Sequence, residues 1–173
     1  ILGTRARKTR TRSFNAFSSI DYPETAVFRD TRLVTFLRRP TDQPPVRFYE
    51  RLEPAVFVLR LVPGMRADII PLLAPHYRAL VLESFGVGGL PGGEHGEMFA
   101  ALRRWCESGR LAVFTTQVPH EGCDLAVYEV GRAVGELPGV LEARDMTPEA
   151  VAVKLMWALG QTENREKAAR LFE

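Results

Sequence analysis

From residue 51 onward, apolar runs bounded by proline or glycine alternate with stretches whose apolar residues recur at helical spacing. AVFVLRL at 55–61 lies between Pro54 and Pro63 and has the unbroken apolar character of a parallel strand covered on both faces. ALVLESF at 79–85 and LAVFTTQ at 111–117 read as two more such strands. Between them, 95–108 puts Met98, Phe99, Leu102, Trp105 and Cys106 on one helical face, and Gly109 stops it. Asp68 is placed to cap a short helix with Pro71 in its first turn, where a missing N–H does no harm. A helix is expected over 124–136 with Leu125, Tyr128 and Ala133 inward, ending near Pro138 and Gly139. Thr147-Pro148-Glu149 supplies a cap, a proline at the first helical position and an acid in the first turn, so a helix should run from there to Gly160. A last amphipathic helix over 163–172 uses Ala168, Leu171 and Phe172. This alternation predicts an α/β fold, a three-layer α/β/α sandwich with a mainly parallel sheet whose ligands sit at the carboxyl ends of the strands.

The first part of the chain is patterned differently. Between Val27 and Leu37 two apolar segments flank Asp30-Thr31, which predicts a β-hairpin. Pro40, Pro44 and Pro45 follow closely and mark a linker. The expected organisation is a segment 1–38 belonging to a different structural unit from the rest, a linker over 39–50, and a domain over 51–173. A chain of 173 residues accommodates one good core plus such an appendage.

Charge changes this picture at one place. Lys and Arg number 23 against 21 Asp and Glu, yet Arg5, Arg7, Lys8, Arg10 and Arg12 stand within eight positions without an acid among them. The remainder of the protein is therefore mildly acidic. A basic run of this kind can neutralise phosphates, but no aromatic stacking residue is interleaved with the cations, and Thr9 and Thr11 alternate with them as in a strand. A solvated or site-lining strand is favoured over a nucleic-acid arm. Cys106 and Cys123 form no C-x-x-C pair and the histidines stand apart at 76, 95 and 120, so no metal site is indicated and free thiols in a reducing compartment are expected. No run approaches the ~18 consecutive apolar residues of a membrane span, and the leading residues lack the order of a signal peptide, which together predict a cytoplasmic protein.

Candidate chemistry concentrates at the predicted strand ends. Gly86-Val87-Gly88-Gly89-Leu90-Pro91-Gly92-Gly93 follows the second strand directly. Its spacing fails the dinucleotide fingerprint, because proline stands at 91 where glycine is required, and a turn or small-ligand loop fits better. Thr115, Thr116 and Gln117 end the third strand, where hydroxyl and amide groups serve equally to orient a polar ligand or to cap a turn. Glu83 lies inside an apolar strand and needs a partner, for which Arg60 and Lys154 are the candidates. Trp105, Trp157, Met98 and Met156 recur with other apolar residues and read as core. On these grounds alone the chain is a soluble α/β domain without an assigned reaction.

Six segments in order resemble the type I (cytosolic-type) L-asparaginases: GTRARKTRTRSFNAFSSIDYP at 3–23, RLEPAVFVLRLVPGM at 51–65, ESFGVGGLP at 83–91, TTQ at 115–117, DLAVYEVG at 124–131 and DMTPEAVAVKLMWALG at 145–160. The resemblance covers almost the whole chain. It implies the tail of an amino-terminal catalytic domain followed by an asparaginase carboxyl-terminal domain, a cofactor-free hydrolysis of L-asparagine to L-aspartate and ammonia, and a homo-oligomer, dimer or tetramer, with sites at the interface. It also implies that Lys8 is the lysine of a Thr–Asp–Lys constellation. A lysine beside a threonine hydroxyl favours the alkoxide or relays a proton when burial or neighbouring cations lower its pKa. The nucleophilic threonine and the Thr–Asp pair are expected upstream of Ile1, so this chain by itself should not turn over. Gly88, Gly89, Thr116 and Gln117 are the implied substrate-binding positions. Two departures stand out, Ile20-Asp21 where many members have Pro-Asn, and Gly89 where many have an asparagine. The alternatives are the asparaginase-like subunit of a tRNA-dependent amidotransferase and a non-catalytic domain that binds asparagine as a regulator.

Overall fold

The computed structural model describes residues 1–37, 45–93 and 95–173. Its centre is a parallel sheet of four strands in sequence order, β5 (Val56–Arg60), β6 (Ala79–Ser84), β7 (Leu111–Thr116) and β8 (Val140–Glu142). The connections carry helices α1 (Ile69–Leu73), α2 (Glu97–Glu107) and α3 (Glu129–Gly135). A chain that steps in one direction with crossovers of one hand must lay all its connecting helices on one face. Accordingly Ile70, Leu73, Met98, Leu102, Trp105 and Val134 pack with Leu59, Leu80, Leu82 and Phe114 in one core. The opposite face, with Val81, Val113 and Leu141, is covered by α4 (Pro148–Gln161) and α5 (Arg165–Phe172) through Val151, Leu155, Ala158, Ala168 and Phe172. The three-layer α/β/α sandwich expected from the alternation is the architecture found.

Several local expectations need correction. β8 was not foreseen, because three residues give no periodicity to read. It forms because Ala112, Val113 and Phe114 offer an unpaired edge to 140–142. The helix expected from Asp124 starts at Glu129, since the Asp124 carboxylate accepts the Ala126 N–H at 2.9 Å and closes a turn instead. Tyr128 then falls ahead of the helix and is exposed, and Val134 takes the inward position. Asp68 precedes α1 but does not cap it; its carboxylate pairs with Arg66 at 2.7 Å. Leu171 faces outward, leaving Ala168 and Phe172 to bury α5. Thr147 does cap α4, its hydroxyl accepting from Ala150 N at 3.4 Å.

The amino-terminal part forms two separate antiparallel pairs. A single 3-10 turn at Gly3–Arg5 leads into β1 (Ala6–Lys8), which pairs with β2 (Phe17–Ser19). The strand expected through Thr11 ends at Lys8, and 11–15 bend away. β3 (Ala26–Arg29) and β4 (Arg32–Thr35) make the expected hairpin around Asp30, whose φ of 55° is the left-handed conformation of a tight turn. Of the stretch read as a linker, 39–44 lie outside the described residues, as does residue 38 at the end of the first segment. Among the described residues no helix is long and apolar enough to cross a membrane.

Candidate functional site

At the carboxyl edge of the sheet the predicted polar residues lie together, and their hydrogen bonds run mostly to backbone. The Thr116 hydroxyl donates to Gly86 O and accepts from Val118 N at 3.0 Å, tying the end of β7 to the glycine loop after β6. Gln117 Nε2 donates to Leu61 O at 2.6 Å and to Glu83 O at 2.9 Å, which stitches the ends of β5 and β6 to the loop after β7. The amides of Gly88 and Gly89 both donate to Phe85 O, at 3.0 and 2.8 Å. Gly88 has φ 150°, a conformation that L side chains rarely adopt, so this turn favours glycine. Gly88, Gly89, Thr116 and Gln117 are thus brought to one edge, where they hold one another's loops. Beneath them Thr115 Oγ1 is buried with no partner among the described residues. Glu83 finds the expected Arg60 at 3.6 Å, while Lys154 lies over the Phe172 ring.

Lys8 comes from another quarter. It is the last residue of β1 and is exposed, opposite exposed Phe17. Strand alternation sends Arg7 to the opposite side, where its Nε lies 3.3 Å from Glu149 Oε1 in the first turn of α4. Arg5 pairs with Asp145 and donates to Asp21 O at 2.6 Å. Arg5 and Arg7, two of the cations neighbouring Lys8 in sequence, are therefore held by acids of the sandwich.

Asp21, at the end of β2, completes the junction. Its carboxylate meets His120 Nδ1 at 2.6 Å and accepts the Glu121 N–H at 2.8 Å. The His120 hydrogen bond, then the Glu121 amide, hold this carboxyl below the usual carboxylate range. Backbone in the left-handed region gathers here, with φ of 48° at Asp21, 74° at Glu121, 72° at Gly122 and 54° at Arg144. Gly122 has no room for a Cβ against the Arg144 carbonyl. A small cleft between the two parts is lined by Arg7, Asp21, Thr116, Gly122, Asp145 and Thr147 among others. Sequence reasoning missed Asp21, His120, Asp145 and Glu149 as a set. The only available signal was the opposition of a basic strand to an acidic helix start.

The cysteines are buried and unlinked, and burial pushes each thiol up to about 12. Neither has the thiolate character that reactivity requires. Among the described residues no group of three or more His, Cys, Asp or Glu is placed to hold a metal ion.

A family model described as Glutaminase/Asparaginase C-terminal domain matches residues 55–172. The chain belongs to this asparaginase/glutaminase family. It is 38% identical over 174 residues to an L-asparaginase of Thermococcus kodakarensis, covering 100% of this chain and 52% of the relative. It is 35% identical to a subunit of the glutamyl-tRNA(Gln) amidotransferase of Metallosphaera sedula, over 98% of this chain and 38% of that protein. Among solved structures, the thermostable L-asparaginase from Thermococcus kodakarensis superposes with a TM-score of 0.83 at 35% identity, and L-asparaginase I from Vibrio cholerae with 0.82 at 28%; this chain covers 52% of each. It thus spans about half the length of these asparaginases. The expected family membership and fold are both met.

Proposed function

We propose that this chain is part of an L-asparaginase that hydrolyses L-asparagine to L-aspartate and ammonia, with Lys8 in the proton chemistry. The observation that carries the reading is the 38% identity to an L-asparaginase over the whole of this chain. The ribbon that bears Lys8 docks at the carboxyl edge of the parallel sheet through Asp21 to His120 and Thr4 to Thr147, with Lys8 itself on the exposed side. In this reading the threonine nucleophile and its Thr–Asp partners come from outside the chain, and Lys8 abstracts or relays a proton beside them. Thr116, Gln117, Gly88 and Gly89 shape the loops that face asparagine. The reading includes the division at the proline-rich stretch into an amino-terminal segment 1–38 and a carboxyl-terminal domain 51–173, a homo-oligomer, and a cytoplasmic location.

The test is ammonia release from asparagine by the intact protein with its amino-terminal half included. Lys8→Met should lower it by about a thousandfold or more, and unchanged turnover would remove Lys8 from the chemistry. A second reading has its own support, since a curated relative at 35% identity is a subunit of a glutamyl-tRNA(Gln) amidotransferase. That reading requires glutamine to be the better amide donor and turnover to depend on a charged tRNA. A protein that binds asparagine without ever releasing ammonia would instead be a regulatory domain.

A further inference from the structure

β1 has three residues and one three-residue partner, and a two-stranded ribbon of that size does not hold a position by itself. Further contacts bear on where Lys8 points. The contacts converge on the beginning of α4. Thr147 N donates to Thr4 O at 3.0 Å, and the Thr147 hydroxyl donates to Ala6 O at 3.0 Å. The same oxygen accepts from Ala150 N, so its lone pair serves the helix while its proton serves the ribbon. On either side, Asp145 holds Arg5 and Glu149 holds Arg7. α4 is itself rigidly seated, with Val151, Leu155 and Ala158 fully buried against the sheet.

We propose that the amino-terminal end of α4, through Asp145, Thr147 and Glu149, is the positioning platform for the strand that carries Lys8. The proposal rests on the reading of Lys8 as the proton-transfer residue. Its physical content is the period of two along a strand: gripping Arg7 on the platform side sends Lys8 to the other side, and a slip of one residue would turn Lys8 onto Glu149. Asp145, Thr147 and Glu149 are positioning residues and need not touch substrate. The carboxyl-terminal domain thereby contributes to chemistry performed on a neighbouring part of the protein.

Thr147→Asp separates the two uses of this side chain, because aspartate caps a helix well but has no proton to donate to Ala6 O. In the intact protein this variant should lose about 100-fold in kcat for asparagine, the scale of a 1 Å misplacement. KM should stay within about twofold, and Thr147→Ser should restore kcat. Amide exchange across 6–8 should rise in Thr147→Asp while exchange in α4 stays slow. As a second route, Arg7→Glu and Glu149→Arg should each lower kcat, and the double exchange should recover it. Thr147→Asp and both single charge reversals at wild-type kcat, with Lys8→Met inactive, would overturn the platform while leaving the lysine reading intact. An active Lys8→Met would overturn the lysine reading and the platform with it.

Discussion

The two edges of the parallel sheet use arginine in opposite ways. At the amino edge, Arg110 donates to Tyr77 O at 3.2 Å and Ala74 O at 2.8 Å and lies over the Trp105 ring. Arg165 reaches Cys106 O at 3.2 Å, and Arg78 pairs with Glu53 at 3.0 Å and Glu163 at 2.9 Å. These guanidinium groups tie strand starts and helix ends within one body. At the carboxyl edge, Arg5 and Arg7 instead reach more than a hundred positions along the chain to Asp145 and Glu149. Planar, permanently charged forks suit both tasks. The lesson is one of sequence range: the amino-edge arginines close contacts inside the sandwich, whereas Arg5 and Arg7 join it to the first strands of the chain.

The sharpest break of this comparison comes from the chemistry. Lys8→Met should lower ammonia release by about a thousandfold or more, the range expected when a general acid/base is removed, while leaving the unfolding midpoint unchanged. Next comes the amino edge: Arg110→Ala removes the donor from two half-buried carbonyls and the cover from Trp105, and should cost about 1–2 kcal/mol, measured by urea unfolding, with no special effect on KM. Arg7→Ala should cost under about 1 kcal/mol in the same experiment, since its partner is exposed and solvent screens the pair. If Arg7→Ala proved as damaging as Arg110→Ala, the distinction between the edges would fail.

The smallest effect is in pH. The folded state depresses the Asp21 pKa, so its contribution to docking is fully present above the ordinary carboxylate value of 3.8 and is lost as pH falls through the lowered one. Amide exchange across 6–8 and 17–19 should therefore rise on acidification below that point. Asp21→Asn should remove the pH dependence of this step. A ribbon whose protection stays constant through that range would show that Asp21 does not titrate with docking.

The core was legible because its signals are local. The strands at 56–60, 79–84 and 111–116 announce themselves as apolar runs, although the first, expected to be covered on both faces, is an edge strand with Val58 and Arg60 exposed, and Thr147-Pro148-Glu149 carries a complete helix start. Tyr128 and Leu171 were misplaced because each sits at an end, where helical phase is set by capping rather than by spacing. β8 escaped because its residues become a strand only when β7 offers them an edge. The glycine loop and Thr116-Gln117 were found as neighbours, since both follow adjacent parallel strands. The hydrogen bonds that occupy their polar groups were not foreseeable from residue type.

What the sequence determined by itself was the family, the sandwich, and the strand and cap chemistry that follow from periods of 2 and 3.6. Tertiary structure alone decided which residues face Lys8's strand. Arg5, Arg7 and Asp21 are remote in the chain from Asp145, Glu149 and His120, and no periodicity links them. Contacts between distant segments depend on how the folded chain brings them together, and that is fixed by three-dimensional shape and charge rather than by any local preference of the backbone.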